Sequence, residues 1–218
     1  MNLRLLQLAS PALPVGAYSY SGGLESAIEA GIVRDGAGAA EWIGAVLEFN
    51  LARMEAPVFL RLAAAWKRDD LGAVRHWNTE FVASREAAEL RAETLQMGHS
   101  LRILLRDLGM EGMAALQIDD LAYPTTYTFA AARWGIDTED ALTAYLFAWI
   151  ENQVLAAVKC IPLGQTEGQR ILLALGDRIP GAVAQARAAE DATLGGFTPG
   201  LARASMRHET QYSRLFRS

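Results

Sequence analysis

Apolar residues recur every three or four positions along most of this chain, and alternation with a period of two is nearly absent. Ala39, Trp42, Ile43, Val46, Leu47 and Asn50 follow the helical spacing. Pro57 stands at a plausible helix start ahead of Val58, Phe59, Leu62, Ala63 and Trp66. Asp69 and Asp70 supply a break and a cap before Leu71, Val74, Asn78, Phe81 and Val82. From near Ser84, a stripe of Ala87, Leu90, Thr94, Met97, Leu101, Leu104 and Leu108 predicts a long helix closed by Gly109. That stripe suits either a core helix or a seam between subunits. Glu86, Glu89 and Arg91 to Glu93 lie mostly off it and read as a solvated face.

The segment from Gly109 to Pro124 reads as loop. Helices are then expected from Thr125 to Trp134 and from Asp137 to the Ile161-Pro162 stop. Another follows a capping-box spacing at Thr166 and Gln169, and one more begins at Pro180. Asp191 to Gly200 reads as a linker. The pattern predicts one all-α domain over 1–218, bundle-like, with about eight to ten helices and extended terminal segments.

The two ends depart from the plain pattern. Near the start, Pro11 and Pro14 forbid a helix between them, Gly16 permits a sharp turn, and Tyr18, Ser19, Tyr20 and Ser21 form a polar-aromatic run. A helix from about Gly22 to Ala30 follows, carrying Glu25. At the other end stand Arg207, His208, Glu209, Thr210, Gln211, Tyr212, Ser213, Arg214, Leu215, Phe216, Arg217 and Ser218. Taken as a helix, His208, Tyr212, Leu215 and Phe216 share one face, with Arg207, Arg214 and Arg217 opposite. Tyrosine and arginine dominate interface hot spots, so the tail reads as a docking element. Packing back on its own domain is the alternative.

The net charge of −5 carries no basic footprint of the kind that nucleic-acid binding needs. The tail is the exception, with Arg203, Arg207, Arg214 and Arg217 against Glu209. Cys160 is alone, so no internal disulfide forms, and a reducing compartment is expected. No signal peptide or membrane span is read, and a cytoplasmic location is expected.

Candidate chemistry is sparse. There is no phosphate-binding glycine loop and no nucleophile elbow. The histidines His76, His99 and His208 are scattered singly, so neither a resident metal nor a cofactor is expected. Cys160, among Val158, Lys159, Ile161 and Pro162, reads as a buried structural thiol. No enzyme is predicted.

Four segments in register are similar to the UreF family of urease accessory proteins. They are the Leu-x-Ser-Pro-Ala-Leu-Pro-Val-Gly-x-Tyr-Ser-Tyr-Ser-x-Gly-Leu-Glu run from Leu8 to Glu25; Glu89 to Glu93 with Met97-Gly98; Pro162 to Gln169; and Arg207 to Ser218. The resemblance implies an all-α dimer that binds the accessory protein UreD (UreH in some systems), recruits the GTPase UreG and helps deliver nickel to apo-urease. It ties residues 1–21 and 201–218 to docking, and so Pro11, Pro14, Tyr18, Ser19, Tyr20, Glu25 and the tail from Arg207 to Ser218 to partner binding. The expected tail is mobile in the isolated protein and helical against UreD. An alternative role is direct activation of UreG, with an arginine such as Arg214 acting in trans. A helical small-molecule sensor with a central apolar pocket is a third reading, which leaves the tail unexplained.

Overall fold

The computed structural model describes residues 2–110, 112–113, 117–196 and 198–218. Positions 111, 114–116 and 197, inside the expected loop and linker, lie outside the described residues, as does position 1. Among the described residues every regular element is helical. In order they are α1 (Leu3–Ala9), α2 (Leu24–Glu29), α3 (Gly36–Val46), α4 (Ala56–Lys67), α5 (Leu71–Ala83), α6 (Ala88–Asp107), α7 (Tyr123–Arg133), α8 (Thr138–Cys160), α9 (Gln165–Gly176), α10 (Ile179–Ala188) and α11 (Pro199–His208).

Helix α8 is the centre of the packing; α1, α2, α3, α4, α7, α9 and α10 all touch it. Asp137 starts it by accepting hydrogen bonds from the amides of Glu139 (2.8 Å) and Asp140 (3.2 Å), which hold its carboxyl below the usual carboxylate range. Ile161 ends it in extended conformation ahead of Pro162. By length and hydropathy α8 could cross a membrane, yet half of its apolar window is buried inside this fold. It is the helix around which the core assembles.

The expected helix start at Pro57 is found, since α4 begins at Ala56 with the proline in its first turn. α3 runs into α4 through π-helical turns over Leu47–Glu55, with helical dihedrals at both joins. Proline lacks the amide that would bond four residues back, and its ring crowds that carbonyl. Widening the helix before it removes the conflict: the Ala56 amide reaches Leu51, five residues back. The short helix α1, capped by Asn2, was not legible from the periodicity.

The α6 stripe is used within the chain. Ala87, Thr94, Met97 and Leu101 are buried, while Leu108 is exposed. Its partner is α7, and two polar residues seat that helix. Asn78 of α5 accepts from the Ala122 amide (2.9 Å) and the Thr125 hydroxyl (2.7 Å) and donates to the Asp120 carbonyl (2.9 Å). Thr94 accepts from the Tyr123 amide at 3.1 Å. These tertiary contacts satisfy amides that open the helix. The buried part of the stripe is therefore a core face. The start of α9 also differs: Gly164 is its N-cap, and Thr166 lies one residue inside the helix.

Gly98 explains the close approach of α6 to the loop before α7. A Cβ there would lie 2.0 Å from the Leu121 carbonyl oxygen. Gly98→Ala is expected to lower stability by about 2–3 kcal/mol, because backbone must move. Gly164→Ala, where nothing lies within 4 Å, is the control and should be near neutral. Urea melts of the two variants check this.

Candidate functional site

The site grows from the turn that opens α2. Gly22 and Gly23 have φ of 56° and 81°, and a Cβ on Gly23 would meet the Ser205 amide nitrogen at 3.2 Å. Glycine thus lets α2 lie directly against α11. That contact buries Glu25 beside His208, which is 0% exposed.

His208 joins two carboxylates. Its Nε2 is 3.1 Å from Glu25 Oε2, and its Nδ1 is 2.8 Å from Glu89 Oε2 on α6. The ring thus bridges the two carboxylates. Glu25 also accepts the Leu215 amide (2.7 Å) and the Phe216 amide (3.0 Å). Arg214 pairs with the other oxygen of Glu89 at 3.1 Å. One turn further along α6, Glu93 accepts the Ser218 hydroxyl at 2.8 Å. The Ser218 main-chain oxygen takes both the amide (2.8 Å) and the hydroxyl of Ser21, and the Arg217 amide donates to the Ser19 carbonyl at 2.8 Å. Phe216 enters a small apolar cluster with Leu24, Ala27, Val33, Ala157 and Ile161, under Lys159 at 5.3 Å.

The tail is thus not a continuation of α11 in this chain. Helix α11 stops at His208, and residues 209–218 are turns and bends that pack back on the domain. The cause is competition for amides. In a helix, Leu215 and Phe216 would bond carbonyls four residues back; here a buried carboxylate takes both, through stronger charge-assisted bonds. The expected common face therefore divides. His208 and Phe216 are buried, whereas Tyr212 and Leu215 are exposed. The arginines divide too. Arg207 is exposed, Arg214 is held by Glu89, and Arg217 hydrogen-bonds the buried Tyr20. In the N-terminal segment Pro11, Pro14 and Tyr18 are exposed, and Ser19 and Tyr20 meet the tail. Glu209 and Ser213 are exposed.

A family model described as UreF matches residues 33–176. The urease accessory protein UreF of Azoarcus sp. (strain BH72) is 57% identical over 99% of this chain and 95% of its own length. Those of Dechloromonas aromatica and Alkalilimnicola ehrlichii are 52% and 51% identical, each over 99% of this chain, covering 96% and 95% of their own lengths. The chain belongs to the UreF family of urease accessory proteins. A role in urease maturation, as an accessory protein, goes with that membership.

Within this UreF chain the carboxylates of α6 are not the solvated face that their spacing suggests. Glu89 keeps only 14% of its side chain exposed. Glu93 is partly covered as a residue, but its carboxyl meets Ser218 and the residue lines a partly open cavity. Burial pushes that carboxyl up to about 7; Glu55 and Glu89 add to the rise, while Ser218 and Arg85 oppose it. The available signal was adjacency: Glu93 precedes Thr94 and stands four residues before Met97, both core positions. Cys160 is half-buried and its thiol is pushed up to about 11, first by desolvation and then by the charge of Glu25. That environment suits no nucleophile. Among the described residues no cluster of His, Cys, Asp or Glu is arranged to hold a metal ion.

Glu25→Ala should release the tail, since it strands the Leu215 and Phe216 amides and one nitrogen of His208. Hydrogen exchange at residues 209–218 is expected to lose its protection, while α8 keeps its own. Glu93 adds a pH dependence. Its folded value lies above the ordinary 4.5, so the folded state holds the extra proton between those limits. This group's contribution is greatest below about pH 4.5, falls as pH rises to about 7, and is flat above. Glu93→Gln should therefore match the parent near pH 4.5 and exceed it at pH 8 by on the order of 2 kcal/mol, discounted for partial exposure. Urea melts at the two pH values check the difference.

Proposed function

We propose that this chain is a urease maturation chaperone that binds UreD (UreH) and recruits the GTPase UreG, so that nickel is inserted into apo-urease. The observation that carries the proposal is the joint surface of the two terminal segments. Ser19 and Tyr20 meet Arg217, and Ser21 meets Ser218, so the first segment and the tail form one unit. On the tail Tyr212 and Leu215 stand fully or largely exposed, and on the N-terminal segment so does Tyr18. Exposed tyrosine and leucine on ordered backbone are what a docking partner buries at low entropic cost. Membership of the UreF family makes the other accessory proteins of urease the natural partners.

Direct activation of UreG through Arg214 has less support, because that side chain is committed to Glu89. A homodimer is part of the proposal, as is a cytoplasmic location. The middle of the α6 stripe offers the dimer little, since Met97 and Leu101 are buried within the chain.

Co-purification with UreD tests the reading. Tyr212→Ala combined with Leu215→Ala is expected to weaken UreD binding at least about tenfold, with stability changed by no more than about 0.5 kcal/mol. Deleting residues 207–218 should abolish binding of both UreD and UreG. Undiminished UreD binding by the double variant would remove the tail from the interface.

A further inference from the structure

The α3–α4 run, α6, α7 and α8, together with Gly22 and Leu201, line a partly open cavity of about 110 Å³. One wall is built by the π-helical turns. Asn50 and Glu55, five residues apart, stack on the same side at that spacing and both line the space. Arg85, Glu93 and Tyr127 line it as well. Glu55 is already engaged, accepting from Arg85 at 3.1 Å and from the Tyr145 hydroxyl. Two polar atoms of the wall residues are not: the Tyr127 hydroxyl and Arg85 Nε are buried without a protein partner, and Tyr127 is 0% exposed.

A buried hydroxyl or guanidinium N–H left unpaired costs roughly 1–3 kcal/mol each, so two on one small cavity call for a shared acceptor. The cavity falls well below the roughly 300–1,000 Å³ of sites that take cofactors or metabolites. A water needs only about 10–15 Å³ and two to four polar partners, whereas cavities that stay dry are lined by apolar groups.

We propose that this cavity is a built water site, holding a cluster of ordered waters bound by the Tyr127 hydroxyl, the Arg85 guanidinium and the Glu93 carboxyl. The cluster reaches the tail anchor, since Glu93 receives the Ser218 hydroxyl on its other side. It gives the Glu93 carboxyl a route for proton exchange that does not require the tail to leave. This inference stands on the cavity alone and is independent of any partner.

A high-resolution crystal structure of the full chain, with and without xenon pressure, tests it. The expected result is water density within hydrogen-bond distance of Tyr127 Oη and Arg85 Nε, with no xenon bound. Xenon in the cavity, a molecule other than water, or direct protein partners for both atoms would overturn it. In solution, oxygen-17 relaxation dispersion counts long-lived waters. Tyr127→Phe, which keeps the shape, should lose at least one, and Ala148→Leu, which fills the space, should lose most. If Ala148→Leu does not fold, Tyr127→Phe decides alone; an unchanged count in Tyr127→Phe refutes the proposal.

Discussion

A single buried carboxylate, Glu25, organises both ends of this chain. It must be given donors to be tolerated inside the protein. It receives three, and all come from the C-terminal region: the His208 ring and the amides of Leu215 and Phe216. Those bonds stop α11, turn the chain, and bring Phe216 onto the cluster beside α2 and α8. Each consequence follows from Glu25 being buried, and its burial follows from Gly23 allowing α2 to touch α11. The glycine pair and the acid are one device. The glycines create the close approach, and the acid uses it to hold the tail.

Glu89 and Glu93 extend the same logic along α6. They stand four apart and so share a helix face. The tail supplies His208 and Arg214 to the first and Ser218 to the second. The charges are matched at the first position, but the second receives only a neutral hydroxyl. Burial is the main reason that Glu93 holds its proton more tightly than an ordinary carboxyl, and the Ser218 bond opposes that rise. The raised value makes the Ser218 end of the anchor the part that responds to pH. The opposite side of Glu93 faces the cavity, so the anchor and the interior meet at one side chain.

The helices were legible because long amphipathic stripes at 3.6 spacing leave little choice. The stripe through Thr94, Met97 and Leu101 located α6, and Asp137 with the Ile161-Pro162 stop bounded α8 within a residue or so. Errors came where a local rule met a tertiary alternative. Glu89 and Glu93 look solvated by period, yet the tail lies over them. Periodicity weighs residues within one element and is blind to a segment more than a hundred positions away that arrives with complementary groups. The tail shows the same limit. Its residue types marked it as special, but the assumption of a continued helix put Tyr212 and Phe216 on one face. Capture of two amides by Glu25 put them on opposite sides.

That capture changes the energetics of any docking step. Ordering ten residues costs on the order of 1–2 kcal/mol each in backbone entropy. Two exposed side chains, Tyr212 and Leu215, could not meet that cost on binding, at about 1.5–3 kcal/mol apiece. When the tail is already held by its own domain, through charge-assisted bonds to Glu25 and Glu89, most of the ordering cost belongs to folding. A partner then meets Tyr212 and Leu215 on backbone fixed from behind. Affinity under the proposed reading becomes a property of the anchor as much as of the contact. Substituting a buried glutamate that touches no partner should weaken binding by restoring the entropy that the anchor removes. Substituting Tyr212 should weaken it by removing the contact itself.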